Sequence, residues 1–199
     1  MMLIEETAIA DAALPVDQFK AHLRLGTGFA EDSVQDEVLK GFLRAAMAAI
    51  EARTGKVLIE RAFCWTLNGW RDLAGESLPL APVKAIDLVT MADVTGEDRV
   101  VDAGVYRLER ESQRPRLRPV GTVLPQVPMG GSVKIDFTAG LSEDWDGLPA
   151  DLGQAVLLLA AHYYEYRDET ALGAGCMPFG VTSLIQRYRT VRFGLGVTQ

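Results

Sequence analysis

The hydrophobic period of this sequence switches repeatedly between helical and strand spacing, which rules out most simple architectures. Between Pro15 and Thr54 apolar residues recur at helical spacing, between Val57 and Gly140 they alternate as in strands, and from Pro149 to Asp168 the helical spacing returns. A helix buries every third or fourth residue and a strand every second, so no single element satisfies both patterns. The chain therefore reads as α+β: a small bundle of three main helices and a short C-terminal helix, with an inserted antiparallel β region and an extended C-terminal arm.

The first helix is expected over Pro15 to Leu25, with Val16, Phe19 and Leu23 on one side and Gly26-Thr27-Gly28 as its stop. The second spans Asp32 to Thr54, with Ser33 and Asp36 as a capping box. Its broad apolar face is drawn through Val34, Val38, Phe42, Ala45 and Ala49, with Leu39, Ala46 and Ile50 beside it, and Gly55 ends it. Phe63, Trp65 and Leu67 alternate within Val57 to Trp70, and Val133, Ile135 and Phe137 alternate with Lys134, Asp136 and Thr138. Further strands are expected over Ala85 to Ala92 and Val105 to Glu109, and the prolines keep Leu78 to Pro82 extended. The third helix, Pro149 to Asp168, carries Leu152, Ala155, Val156, Leu159, Tyr163 and Tyr166 as a stripe. The expected divisions are 1–56 for the N-terminal helices of the bundle, 57–140 for the β region, 141–180 for the third helix and loop, and 181–199 for a C-terminal helix and strand-like arm.

Charge narrows the functions. The net charge is −7, but residues 170–199 carry +3 from Arg187, Arg189 and Arg192, leaving −10 on the rest. Phosphate contacts need a basic surface, so general, tight DNA binding is not expected of such a body. With 48% apolar and 24% charged residues the chain has the composition of a folded globular protein. No apolar run approaches the ~18 residues of a membrane-spanning helix, and Met1 to Ala10 carry no secretory pattern, so synthesis in the bacterial cytoplasm is expected.

Raw material for catalysis is sparse. His22 and His162 are the only histidines, and His162 with Glu165 is a lone i, i+3 pair without the second pair a di-metal bundle needs. Gly26-Thr27-Gly28 follows a helix rather than a strand and reads as a helix stop, not a phosphate loop. Cys64 and Cys176 have no metal or disulfide spacing. Glu143-Asp144-Trp145-Asp146 reads as a solvated turn, and Tyr163 and Tyr166 as packing residues. No catalytic residue, cofactor or metal site is assigned.

The C-terminal segment is the least ordinary feature. Val181, Leu184, Ile185 and Tyr188 stand at i, i+3, i+4 and i+7, and then Val191, Phe193, Leu195 and Val197 alternate as in a strand. This segment folds back on its own subunit or adds to another chain, where Arg187, Arg189 and Arg192 would meet an acidic surface.

Several stretches, in order, resemble the phage head–tail connector (adaptor) family in its larger form with a β insertion. They are Lys20-Ala21-His22-Leu23-Arg24; Ala48, Glu51, Thr54-Gly55 and Leu58; Leu78-Pro79-Leu80-Ala81-Pro82-Val83; Tyr106-Arg107-Leu108; Phe137-Thr138-Ala139-Gly140; His162-Tyr163-Tyr164-Glu165-Tyr166-Arg167; and Met177-Pro178-Phe179-Gly180-Val181 with Leu184, Tyr188-Arg189 and Arg192. The resemblance spans roughly residues 14–194. It implies a non-enzymatic subunit of a homo-oligomeric ring in the neck of a phage, prophage or gene transfer agent particle. Such a ring meets the portal protein on one side and a stopper or tail protein on the other, and DNA passes through its channel without sequence-specific binding. The portal-binding residues expected from it are Val181, Leu184, Ile185, Arg187, Tyr188, Arg189, Val191, Arg192, Phe193 and Leu195. Two alternatives stand beside it: a stopper or tail-completion protein of the same particle, and a small α+β enzyme or ligand-binding protein using His22 or His162.

Overall fold

A computed structural model of the chain describes residues 1–24, 33–167 and 177–189. The chain divides into two compact units, one formed by Met1–Pro15 and Lys56–Leu148, the other by Val16–Gly55 and Pro149–Gln199.

The first unit is built on antiparallel sheets. Its strands are β1 (Met2–Glu5), β2 (Arg61–Leu67), β3 (Glu76–Ser77), β4 (Val83–Ala92), β5 (Asp98–Val100), β6 (Tyr106–Glu109), β7 (Arg116–Pro119) and β8 (Ser132–Ala139). Five form one sheet in the order β1-β2-β8-β4-β5, and three form a second in the order β3-β7-β6. Alternation decides which face is buried. Val133, Ile135, Phe137 and Ala139 of β8 are fully buried, while Lys134 between them is exposed. Phe63, Trp65 and Leu67 of β2 join them, as do Val83, Val89 and Met91 of β4. Phe63 and Phe137 lie directly opposite across the ladder with rings stacked at 5.7 Å, a cross-strand pair that fixes register as well as burying area.

The N-terminal residues depart from the expected division. Residues 1–15 belong to the β unit, not to the helices, because Met2–Glu5 pairs antiparallel with β2 from Met2↔Thr66 to Glu5↔Phe63. Arg61 anchors this strand, with its guanidinium 3.3 Å from the Glu5 carboxylate and 5.5 Å from the Phe63 ring centre. The pairing joins positions about sixty residues apart, so no local pattern announces it.

The second unit is helical: α1 (Val16–His22), α2 (Ser33–Thr54), α3 (Ala150–Glu165) and α4 (Phe179–Ile185), followed by a 3₁₀ turn over Gln186–Tyr188. Helix α1 packs on α2 and α3, α2 on α3, and α3 on α4. Lys20 of α1 and Asp36 of α2 form an ion pair at 2.5 Å. The buried face of α2 keeps Leu39, Ala46 and Ile50 of the broad face drawn from sequence but not its Val38 and Ala45 side. Leu39, Leu43, Ala46, Met47 and Ile50 are buried, whereas Val38 is half exposed and Ala45 faces solvent. Two apolar stripes compete on this helix, and the one with larger side chains removes more area from water. On α3, Leu152, Ala155, Val156, Leu159 and Ala160 form the buried stripe.

Candidate functional site

The residues that could carry chemistry do not converge. His22 ends α1 and His162 lies in the last turn of α3, where its ring stands 4.7 Å from that of Tyr166. Among the described residues no three His, Cys, Asp or Glu side chains gather to hold a metal ion. The acidic run at 143–146 forms a turn: the Asp144 carboxylate accepts from the Gly147 N–H at 2.9 Å, and the Leu148 N–H donates to the Trp145 carbonyl at 3.1 Å. Cys64 is buried on β2 opposite Asp136 of β8, and burial, reinforced by that carboxylate, pushes its thiol up to about 11. A thiol so rarely ionised is a poor nucleophile near neutrality.

A groove of about 1070 Å³ opens on the β unit along residues 120–130, with Trp70, Leu73 and Val105 in its wall. None of its lining residues is ionisable, so it offers neither a general acid nor a general base. Val120, Val123 and Met129 are more than half exposed along it. Exposed, uncharged apolar surface of this kind marks contact with another macromolecule more often than turnover of a small one.

The C-terminal segment divides in two. Val181 and Ile185 are fully buried within the helical unit, and Leu184 is half-buried. Two polar contacts fix the following turn. The Tyr188 hydroxyl donates to the Asp151 carboxylate at 2.8 Å, and Arg187 pairs with the same carboxylate at 2.8 Å. Burial holds the Tyr188 hydroxyl above the ordinary phenol range, so it stays protonated as a donor. The helical half of the expected arm is thus seated on its own unit, and its apolar stripe faces inward. Arg189 is exposed, while Val191, Arg192, Phe193 and Leu195 lie outside the described residues, as do Gly26-Thr27-Gly28 and Cys176. Sequence reasoning missed Asp151, whose partners lie more than thirty residues away, and Phe179, which is 87% exposed at the start of α4. Of the tyrosines expected to pack, Tyr163 is half-buried and Tyr166, just past α3, is 44% exposed; Tyr164 instead meets Phe42 edge-on at 5.8 Å, and Arg167 covers its ring at 4.8 Å.

Among its described residues this two-unit α+β chain carries an exposed, uncharged groove and no assembled reaction centre. The sequence matches no family model and no curated protein. Solved structures do match. A chain of the neck of an empty gene transfer agent (GTA) particle, computed with C6 symmetry, is 51% identical with a TM-score of 0.88, covering 96% of this chain and 97% of that one. A chain of the virion of a native GTA particle is 51% identical with a TM-score of 0.85 over the same shares. A chain of the neck of a native GTA particle, computed with C12 symmetry, is 47% identical with a TM-score of 0.82, again over 96% and 97%. The chain belongs to the neck connector family of phage-like and gene transfer agent particles.

Proposed function

We propose that this protein is the adaptor subunit of such a neck: a non-enzymatic ring component that docks on the portal and receives the stopper or tail. The observation that carries the reading is end-to-end similarity to neck chains at 47–51% identity, in particles computed with C6 and C12 symmetry. Cyclic symmetry of that order places copies of one chain in a closed ring around an axis. A net charge of −7 supports passage rather than capture of DNA, since an acidic wall repels the phosphate backbone and lets it slide.

The adaptor role, against that of a stopper, rests on the C-terminal segment. With Val181 and Ile185 seated inside the helical unit, α4 acts as the root of the arm. Portal binding then falls to the surface around Leu184, Arg187, Tyr188 and Arg189 and to the alternating stretch Val191, Arg192, Phe193 and Leu195. Strand addition by this stretch supplies backbone hydrogen bonds, and Phe193 and Leu195 supply anchors. The test is a chain ending at residue 189, which keeps the buried root. It is expected to fold and form rings but no longer co-sediment with portal-bearing heads. Undiminished co-sedimentation would refute the arm.

A further inference from the structure

Resting on the ring reading above, we infer that neighbouring copies join through the two opposite edges of the five-stranded sheet, β1 of one copy lying against the β4–β5 edge of the next. A ring of order above two needs a heterologous contact, with two different surfaces of the same chain meeting. The β unit offers two such surfaces on one rigid sheet.

The first is β1. It is an edge strand, and Met2, Leu3 and Ile4 are exposed on both of its faces at 55%, 39% and 41%. An open, apolar strand edge is a template for another strand, and proteins that do not use it blunt it with charge, proline or a cover. Here the outer side of β1 carries no strand among the described residues. The second surface is the far edge. There β5 is three residues long and wholly exposed, Val100 is 61% exposed, and Leu88 of β4 is 39% exposed just beyond it.

The cross-strand rows connect the two. One row runs Met2, Thr66, Lys134, Thr90, Val100 from edge to edge, so each end of it is an exposed apolar side chain. Strand directions alternate across the sheet, so β1 and β5 point the same way. Rotation about an axis along the strands therefore sets β1 of the next copy parallel to β5, a pairing the ladder permits.

Charge agrees with the same register. At the Met2 end the guanidinium of Arg71 reaches the Met1 sulfur at 3.0 Å, and the opposite edge there carries Asp93, Glu97 and Asp98 beside the cation Arg99. At the other end of β1 are Glu5 and Glu6, the latter bonded through its N–H to the Ala62 carbonyl at 2.9 Å. Their rows run through Phe137 and Thr138 to Ile86 and Ala85, beside Lys84, whose carbonyl accepts from Arg110 at 2.9 Å. Continued into the next copy, the rows bring Arg71 toward carboxylates and Glu6 toward Lys84 and Arg110, two cations against the one carboxylate of Asp87, which accepts from the Thr138 hydroxyl at 2.9 Å. Complementary ends of this kind set register and suppress slippage.

The test is disulfide trapping in a chain carrying Cys64→Ser and Cys176→Ser. Adjacent strands lie about 4.8 Å apart, within the roughly 7 Å Cα separation that a disulfide spans. Met2→Cys with Val100→Cys in one chain is expected, on oxidation of assembled rings, to shift the monomer band into a ladder of covalent multimers, while neither single substitution does. As a second arm, Glu6→Lys is expected to reduce ring formation and Lys84→Glu added to it to restore it. Rings that assemble without a ladder, or charge reversals with no effect on assembly, would overturn the edge contact alone. A chain that folds but forms no ring, even with portal-bearing heads, would overturn the ring reading and this contact with it.

Discussion

At Gly140 the Glu60 backbone leaves room for a hydrogen and nothing larger: a Cβ there would lie 2.3 Å from the Glu60 Cα and 2.5 Å from its nitrogen. The neighbouring atoms are main chain and cannot swing aside. Gly140→Ala is therefore expected to lower unfolding stability by about 1–3 kcal/mol, the usual range for overpacking, as read by urea titration. A second residue gives a pH signature. Burial raises the Cys64 thiol to about 11 from an ordinary 9.0, so the folded state holds that proton more tightly than the unfolded chain does. Its contribution to stability is complete below pH 9 and is lost as the pH rises toward 11. Cys64→Ala should remove that part of the alkaline loss, as measured by denaturation at matched pH values. In the folded Cys176→Ser chain, alkylation of Cys64 at pH 8 should be far slower than after unfolding. A thiol alkylated equally fast in both states would contradict the burial argument.

Among the elements, α4 links the helical unit to the C-terminal residues. It is short, so its helical hydrogen bonds alone do not hold it, and its position depends on Val181 and Ile185 against the helical unit. Ile185→Ala is expected to cost about 2–4 kcal/mol of helical-unit stability and to speed hydrogen exchange across Phe179–Ile185. Unchanged protection there would show that α4 is held by something else. Which elements the sequence reveals follows the same logic of local against distant information. The helices over Ser33–Thr54 and Ala150–Glu165 and the strands Arg61–Leu67 and Ser132–Ala139 are legible because each carries its own period over seven or more residues. β1, β3, β5 and β7 are two to four residues long and owe their conformation to a partner strand, so nothing in their own pattern identifies them. The α2 face was drawn too broad because two stripes of similar period run along it, and only packing chooses between them. The seat of α4 was legible as an amphipathic stripe. Its salt link to Asp151 was not, since that carboxylate reads locally as an ordinary acidic first turn.

For the whole molecule, the sequence pointed to the family through short motifs in a fixed order, and end-to-end similarity to neck chains bears out that membership. An acidic body, an α4 seated on its own unit and a five-stranded sheet with an exposed strand at each edge suit a part repeated around an axis. The most direct test of that account is a reconstruction of the particle this protein is built into, with the neck resolved well enough to trace the chain. The expected result is closed-ring density for this fold between portal and tail, with the residues after Arg189 reaching the portal. Density placing the chain anywhere but the neck, or there as an isolated copy with its C-terminal residues contacting only itself, would contradict it.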